Sequence, residues 1–206
     1  MKIFGLLGSP RVSGKCSMLL QRVLDGAADG GAEVKRFDLI KCNVQHCMGC
    51  CKCMFDDPGQ TIGRCPLQDD VRGMLEEYIS SDGYVFASPV YDGSVTSLMK
   101  KFLERKIALT HRAEDAYATI GAARTPADFK KKAVMIVTGN CADEYREVMG
   151  DPCFEMMEGH LMIEQIETIE KQYVGSVENI DDTTWNTRLQ TAYQTGKSLV
   201  EAIRAE

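Results

Sequence analysis

Apolar and polar positions along the chain switch repeatedly between a strand pattern and a helix pattern. Lys2 to Leu7 is a nearly continuous apolar run ending at Gly8, as expected for a strand buried on both faces of a parallel sheet. From Ser17 to about Ala28, the residues Met18, Leu19, Leu20, Val23, Leu24 and Ala27 fall at helical spacing. Glu33 to Leu39 reads as a second, shorter strand. A helix begins at Asp69 and Asp70, whose charges suit a helix N-terminus, and carries Val71, Met74, Leu75, Tyr78 and Ile79 on one face. Gly83 to Ala87 is a third strand, and Val95, Leu98, Met99, Phe102, Leu103 and Ile107 mark the helix after it. A polar stretch from about His111 to Lys132 precedes a fourth strand, Ala133 to Val137. Asp143 to about Gly159 has a helical pattern interrupted near Gly150 and Pro152. A weak fifth strand lies between Ile163 and Val177, and Trp185, Leu189, Ala192, Tyr193, Leu199, Val200 and Ile203 define the last helix.

Strands alternating with helices imply right-handed crossovers and an α/β fold: a doubly wound, five-stranded parallel sheet with helices on both faces. The 206 residues are enough for one such domain. Residues 42 to 66 interrupt the alternation where a direct strand-to-helix connection is expected, so they read as a cysteine-rich insertion.

The formal net charge of −6 and the lack of a basic stripe argue against a nucleic-acid surface, and Lys130, Lys131 and Lys132 read as a solvated cluster. No run approaches the roughly 18 apolar residues of a membrane span. The opening apolar run is too short for a signal peptide and has no small-residue cleavage site behind it, so a cytoplasmic protein is expected. In a reducing compartment, nine cysteines, an odd number, are more readily ligands or redox thiols than structural disulfides.

In doubly wound folds, ligands bind at the carboxyl ends of the strands. That rule gathers three loops into one candidate site: Gly8 to Ser17, Ser88 to Ser94, and Thr138 to about Asp143. The first combines Ser9, Arg11, Ser13, Lys15 and Ser17 with two glycines and a helix N-terminus, a setting suited to a phosphate. It is not a nucleotide P-loop. Five residues rather than four separate Gly8 from Gly14, and Cys16 stands where a Ser or Thr would bind the metal.

Five cysteines fall within twelve residues, Cys42, Cys47, Cys50, Cys51 and Cys53, and Cys65 follows next to Pro66. The spacing Cys47-x-x-Cys50-x-x-Cys53, with a distant Cys before Pro, resembles the thiolate motif of bacterial ferredoxins. A [4Fe–4S] cluster, a zinc ion on the same thiolates, and free or disulfide-forming thiols are the open readings. Cys42 and Cys51 read as bystanders, and Cys141 and Cys153 as small packed residues.

The Gly8-Ser9-Pro10-Arg11 loop, the segment Ser88-Pro89-Val90-Tyr91-Asp92-Gly93-Ser94-Val95 and the downstream Lys100-Lys101-Phe102-Leu103-Glu104-Arg105 together resemble the NADPH-dependent FMN reductase family. This is a flavodoxin-like family, and its iron–sulfur flavoprotein branch is the most similar; the resemblance covers roughly residues 1 to 110. It implies that Ser9, Arg11, Lys15, Cys16 and Ser17 line an FMN phosphate site. Pro89, Val90, Tyr91, Gly93 and Ser94 would border the isoalloxazine ring, and Thr138, Gly139 and Asn140 would form the third loop. It also implies Cys47, Cys50, Cys53 and Cys65 as cluster ligands. The chain departs from the family at Lys15 and Cys16, where Asn and Thr are common, and in the eleven residues between Cys53 and Cys65, a longer interval than usual.

The expected activity is FMN-dependent oxidoreduction with NAD(P)H or a ferredoxin-type donor, in a homo-oligomer. The rival readings are a non-enzymatic electron-transfer flavoprotein and a flavin-free, metal-stabilised module for a phosphorylated ligand. Arg105 reads as a salt-bridge or subunit-contact residue, and neither His46 nor His111 as a catalyst.

Overall fold

The computed structural model of the chain describes residues 1–113 and 121–205, so part of the polar stretch from His111 to Lys132 lies outside the described residues. Its elements are β1 (Lys2–Leu7), α1 (Lys15–Asp29), β2 (Glu33–Asp38), α2 (Val71–Ile79), β3 (Gly83–Pro89) and α3 (Ser97–Arg105). These are followed by β4 (Thr110–His111), β5 (Ala122–Ala123), β6 (Lys131–Thr138), α4 (Asp151–Gly159), β7 (Ile166–Val174) and α5 (Asp182–Arg204). Five strands form one parallel sheet in the order β2-β1-β3-β6-β7, the flavodoxin-like order with its switch point between β1 and β3. The short strands β4 and β5 pair separately and antiparallel.

Strand alternation divides the core into two layers. Phe4, Leu6, Tyr84, Phe86, Met135 and Val137 face one side, packing with Tyr78 of α2, Phe102 of α3 and Phe154 of α4. Ile3, Leu7, Val85, Ala87, Val134 and Ile136 face the other, against Leu20 and Val23 of α1 and Leu199 of α5. The central strands read clearly from sequence because both of their faces are apolar.

Helices α1 and α5 cross in close contact. A Cβ on Gly196 would stand 1.9 Å from the Val23 carbonyl oxygen, and one on Gly26 would stand 2.0 Å from that of Tyr193. Backbone blocks both positions, so a methyl group forces the helices apart. Gly196→Ala is therefore expected to destabilise the fold by about 1–3 kcal/mol, read as a lower urea midpoint at unchanged slope.

Some boundaries differ from the sequence reading. Lys131 and Lys132 belong to β6 instead of a solvated cluster, pairing with Asp82 (3.3 Å) and Glu167 (2.6 Å) across neighbouring chain segments. Helix α1 starts at Lys15, before Ser17, and α3 starts at Ser97 behind its cap Thr96, whose hydroxyl accepts from the Met99 amide. The interrupted pattern after Asp143 resolves into a 3₁₀ turn, a π turn over Arg146–Gly150, and α4 with Pro152 in its first turn.

Candidate functional site

The carboxyl ends of β1, β3 and β6 deliver the three loops to one edge of the sheet, where backbone bonds lock them together. The Gly8 amide donates to Ala87 (2.7 Å), the Val90 amide to Thr138 (2.8 Å) and the Gly139 amide to Val174 (3.0 Å). Thr96 adds a side-chain tie, its hydroxyl donating to the Gly8 carbonyl. Between the loops opens a cleft of about 640 Å³, within the usual range for a small-molecule site.

Of the residues the sequence singled out, the structure brings Ser9, Arg11, Lys15, Cys16, Pro89, Val90, Tyr91, Gly93, Thr138, Gly139 and Asn140 together around this cleft. Ser17 and Ser94 do not. Ser17 points inward, donating to the Val12 carbonyl and accepting from Arg36 at 2.6 Å. Ser94 closes its own loop by exchanging backbone hydrogen bonds with Tyr91 (2.8 and 3.1 Å). Gly14, Asp92, Cys141, Met149, Val177 and Glu178 line the cleft as well. Val177 and Glu178 follow β7 and could have been found by extending the strand-end rule to the fifth strand; Met149 carries no such signal.

The cleft suits a phosphate attached to a flat ring. Helix α1 has Gly14 as its N-cap, with no side-chain cap and no acid in its first turn, so its leading amides and dipole are left for an anion, with Arg11 beside them. Lys15 lines the same end, its ammonium 5.3 Å from the Trp185 ring centroid. Gly93 has φ of +70°, and a Cβ there would meet nothing within 4 Å: bare backbone faces open space. Tyr91 is 47% exposed, an aromatic at the rim rather than one packed on the sheet edge. Cys16 is a different kind of wall. Burial pushes its thiol up to about 12, outweighing a hydrogen bond with Thr138, so it is a neutral S–H at neutral pH.

A second cavity, of about 460 Å³, is lined by Cys47, Cys50, Cys53 and Cys65, together with Cys51, Arg105 and His160 among others. The turn that arranges the first three cysteines uses two positive-φ residues, Gly49 at +63° and Cys51 at +55°. Cys42 is elsewhere, with its thiol 3.4 Å from the Asp38 carbonyl.

The long interval before Cys65 folds back on itself. A Cβ on Gly63 would lie 1.9 Å from the Cys53 carbonyl oxygen, and Arg64 donates through backbone and side chain to Asp56. The thiol of Cys53 is raised to about 11, first by burial and then by the nearby sulfurs of Cys65, Cys47 and Cys50. Among the described residues, no three histidine, cysteine or acidic side chains are grouped so as to hold one metal ion; Cys47, Cys50, Cys53 and Cys65 share the lining of this cavity.

Arg105 is the salt-bridge residue the sequence suggested, paired to both oxygens of Asp69 (2.5 and 3.1 Å) and almost fully buried. Burial drives the Asp69 carboxyl up. The bonds from Arg105 and from the Gln45 and Val71 amides outweigh that, leaving it below its usual value.

His160 borders the thiol cavity, and its carbonyl accepts from Lys106 (2.7 Å). Burial, then the charges of Lys100 and Lys106, lower its pKa to about 4 from the usual 6.5. Between those values the unfolded chain takes up a proton that the folded chain refuses, so stability falls as pH drops from about 6.5 to 4. His160→Gln is expected to remove that loss, visible as a flatter stability-against-pH curve over that window.

A parallel sheet in this order, with a mononucleotide-sized cleft over its switch point, defines a flavodoxin-like α/β protein. The chain matches the NADPH-dependent FMN reductase family over residues 1–148, and it belongs to that family. It is 33% identical over 105 residues to an iron–sulfur flavoprotein of Methanocaldococcus jannaschii, covering 51% of each chain. The chain thus spans about half the length of the first relatives it matches. An iron–sulfur flavoprotein of Methanosarcina thermophila is 24% identical over 209 residues, covering 98% of this chain and 95% of that one.

Among solved structures, the fold is shared with an NAD(P)H:quinone oxidoreductase from Methanothermobacter marburgensis (TM-score 0.73, 19% identity, 97% and 96% of the two chains). It is also shared with an FMN-dependent NADH-azoreductase from Bacillus anthracis in complex with FMN (TM-score 0.68, 14% identity, 98% of each). No helix among the described residues is long and apolar enough to cross a membrane.

Proposed function

We propose that this chain is an FMN-dependent oxidoreductase taking electrons from a nicotinamide nucleotide, or a ferredoxin-type donor, and passing them to an acceptor. In this reading a [4Fe–4S] cluster is bound by Cys47, Cys50, Cys53 and Cys65. The observation that carries the reading is the meeting, in one cleft, of an uncapped helix N-terminus beside Arg11 and the exposed backbone of Gly93.

Bound there, FMN supplies the conversion between two-electron and one-electron transfer. The chain's own residues bind and orient it. The α1 amides, Ser9 and Arg11 hold the phosphate; Gly93 admits the ring edge without steric hindrance; Thr138, Gly139 and Asn140 close the opposite wall. Cys16, as a neutral thiol, contributes packing and no charge.

These four cysteines line one cavity without being grouped tightly enough to hold a single ion, which favours a cluster with one thiolate per iron over a single tetrahedral zinc, whose sulfurs crowd to about 2.3 Å from the metal. The cleft and the thiol cavity have no lining residue in common. Association of copies of the chain, bringing one chain's cavity to another's cleft, is therefore part of the reading, and a sizing measurement showing only monomers would remove it. A cytoplasmic location fits the same picture.

Oxidation of NADH or NADPH with a quinone or azo dye as acceptor is the test. Turnover at roughly 1–1,000 s⁻¹, lost when FMN is removed and restored when it returns, is expected. Bound FMN with no nicotinamide oxidation would instead make the chain an electron carrier.

A further inference from the structure

We propose that two buried arginines, Arg105 and Arg124, hold the thiol cavity in a ligand-ready shape before any cluster is present, as positioning residues for its cysteines. The inference rests on the reading of that cavity as a cluster site.

Arg124 lies just after β5 and is only 8% exposed. Its five N–H donors all find main-chain carbonyls. Nε donates to Thr110 (3.2 Å), one terminal nitrogen to Asp57 and Gln60 (2.6 and 3.0 Å), and the other to Cys53 and Asp56 (3.0 and 3.1 Å). Four of these acceptors belong to the insertion, and the fifth to β4. The Arg124 amide donates in turn to Leu109 (2.8 Å), and the Arg112 amide to Met54 (3.0 Å), so the β4–β5 hairpin is fastened to the loop that carries Cys53.

Arg105 secures the two ends. It donates to the Gln45 carbonyl (3.0 Å) just before Cys47, to the Cys65 sulfur (3.5 Å), and to Asp69 beyond Cys65. Gly63, tied by its amide to Ala108 (2.7 Å), completes the fold-back between them.

The chemistry of these bonds makes the arrangement specific to arginine. A buried carbonyl left without a donor is costly, and only a planar guanidinium reaches five acceptors at once; a lysine has three donors and no fixed fork. Many small metal-binding domains are ordered only once the metal is bound. Here four of the insertion's carbonyls accept from Arg124, and its cysteines line the cavity.

Hydrogen exchange on cluster-free, flavin-bound protein, prepared with a chelator, tests this. Residues 53–66 are expected to exchange at least about tenfold more slowly than the same segment as a free peptide. Arg124→Gln is expected to raise exchange across 53–60 by at least about tenfold and to slow iron uptake during reconstitution, with Arg124→Lys failing to restore either. Arg105→Lys is expected to loosen residues 45–47 and 65–69. FMN content and circular dichroism report that each variant folds; if Arg124→Gln does not, the wild-type measurement decides alone.

Free-peptide exchange in the wild type, or an Arg124→Gln profile identical to it, overturns the proposal. A protected loop that Arg124→Gln releases, in a protein that takes up no iron, upholds the positioning role and rejects the cluster. Iron uptake by an unprotected loop does the reverse.

Discussion

Cys53→Ser is expected to lose essentially all iron and sulfide while keeping FMN. Cys53 is the most buried of the four thiols around the cavity, at 6% exposed, and the other three sulfurs already perturb it. A serine hydroxyl remains protonated and is a hard oxygen where a cluster needs thiolate. The substitution leaves the backbone untouched, because the Cys53 carbonyl, held by Arg124, is unchanged. Cys42→Ser is the matched control. That thiol lies outside the cavity and is expected to retain full iron. Iron retained by Cys53→Ser, measured by a colorimetric assay on the anaerobically purified protein, would show the ligand assignment to be wrong.

Arg11→Ala is expected to weaken FMN binding roughly 10- to 100-fold, the equivalent of about 1.5–3 kcal/mol for a charge-assisted hydrogen bond to phosphate. The exposed guanidinium lines the cleft beside the open end of α1, and its own amide is anchored by Ser9 (3.1 Å), so the loop keeps its shape without the side chain. Lys15→Ala is expected to cost less, since its ammonium stands over Trp185. Ser17→Ala should alter stability more than affinity, because its hydroxyl serves Val12 and Arg36. Titration of flavin fluorescence against each cluster-free variant measures these effects. Equal affinity in Arg11→Ala and wild type would move the phosphate elsewhere.

Much of this architecture was legible because physical constraint coincides with sequence pattern. The central residues of strands β1, β3 and β6 are buried on both faces and run nearly continuously apolar, and the loops after them inherit their position from the parallel topology. Edge strand β7 was harder to read. Its exposed Glu167 and Glu170 stand three apart among partly buried residues, so no two-residue period shows, and the sheet shifts register beside it at Ala133 and Val134.

Ser17 gave the same signal as Ser9, a hydroxyl in a glycine-containing loop, yet a turn of helix directs it inward. Arg124 gave almost no signal. In sequence it is one more charge in a polar stretch, and its burial comes from carbonyls 64 to 71 positions earlier in the chain. The two-residue strands β4 and β5, which place it, are too short to show any period. The extended gap before Cys65, which looked unfavourable to a cluster, closes through contacts of Gly63 and Arg64 that spacing does not encode.

One chain is expected to carry both a flavin and an iron–sulfur cluster. The visible spectrum of anaerobically purified protein, with FMN, iron and acid-labile sulfide quantified on the same sample, tests it most directly. The expected result is about one FMN per chain, with iron and sulfide equal to each other and in about fourfold excess over flavin. Zinc in stoichiometric amount without flavin, or flavin without iron after anaerobic reconstitution, would contradict it.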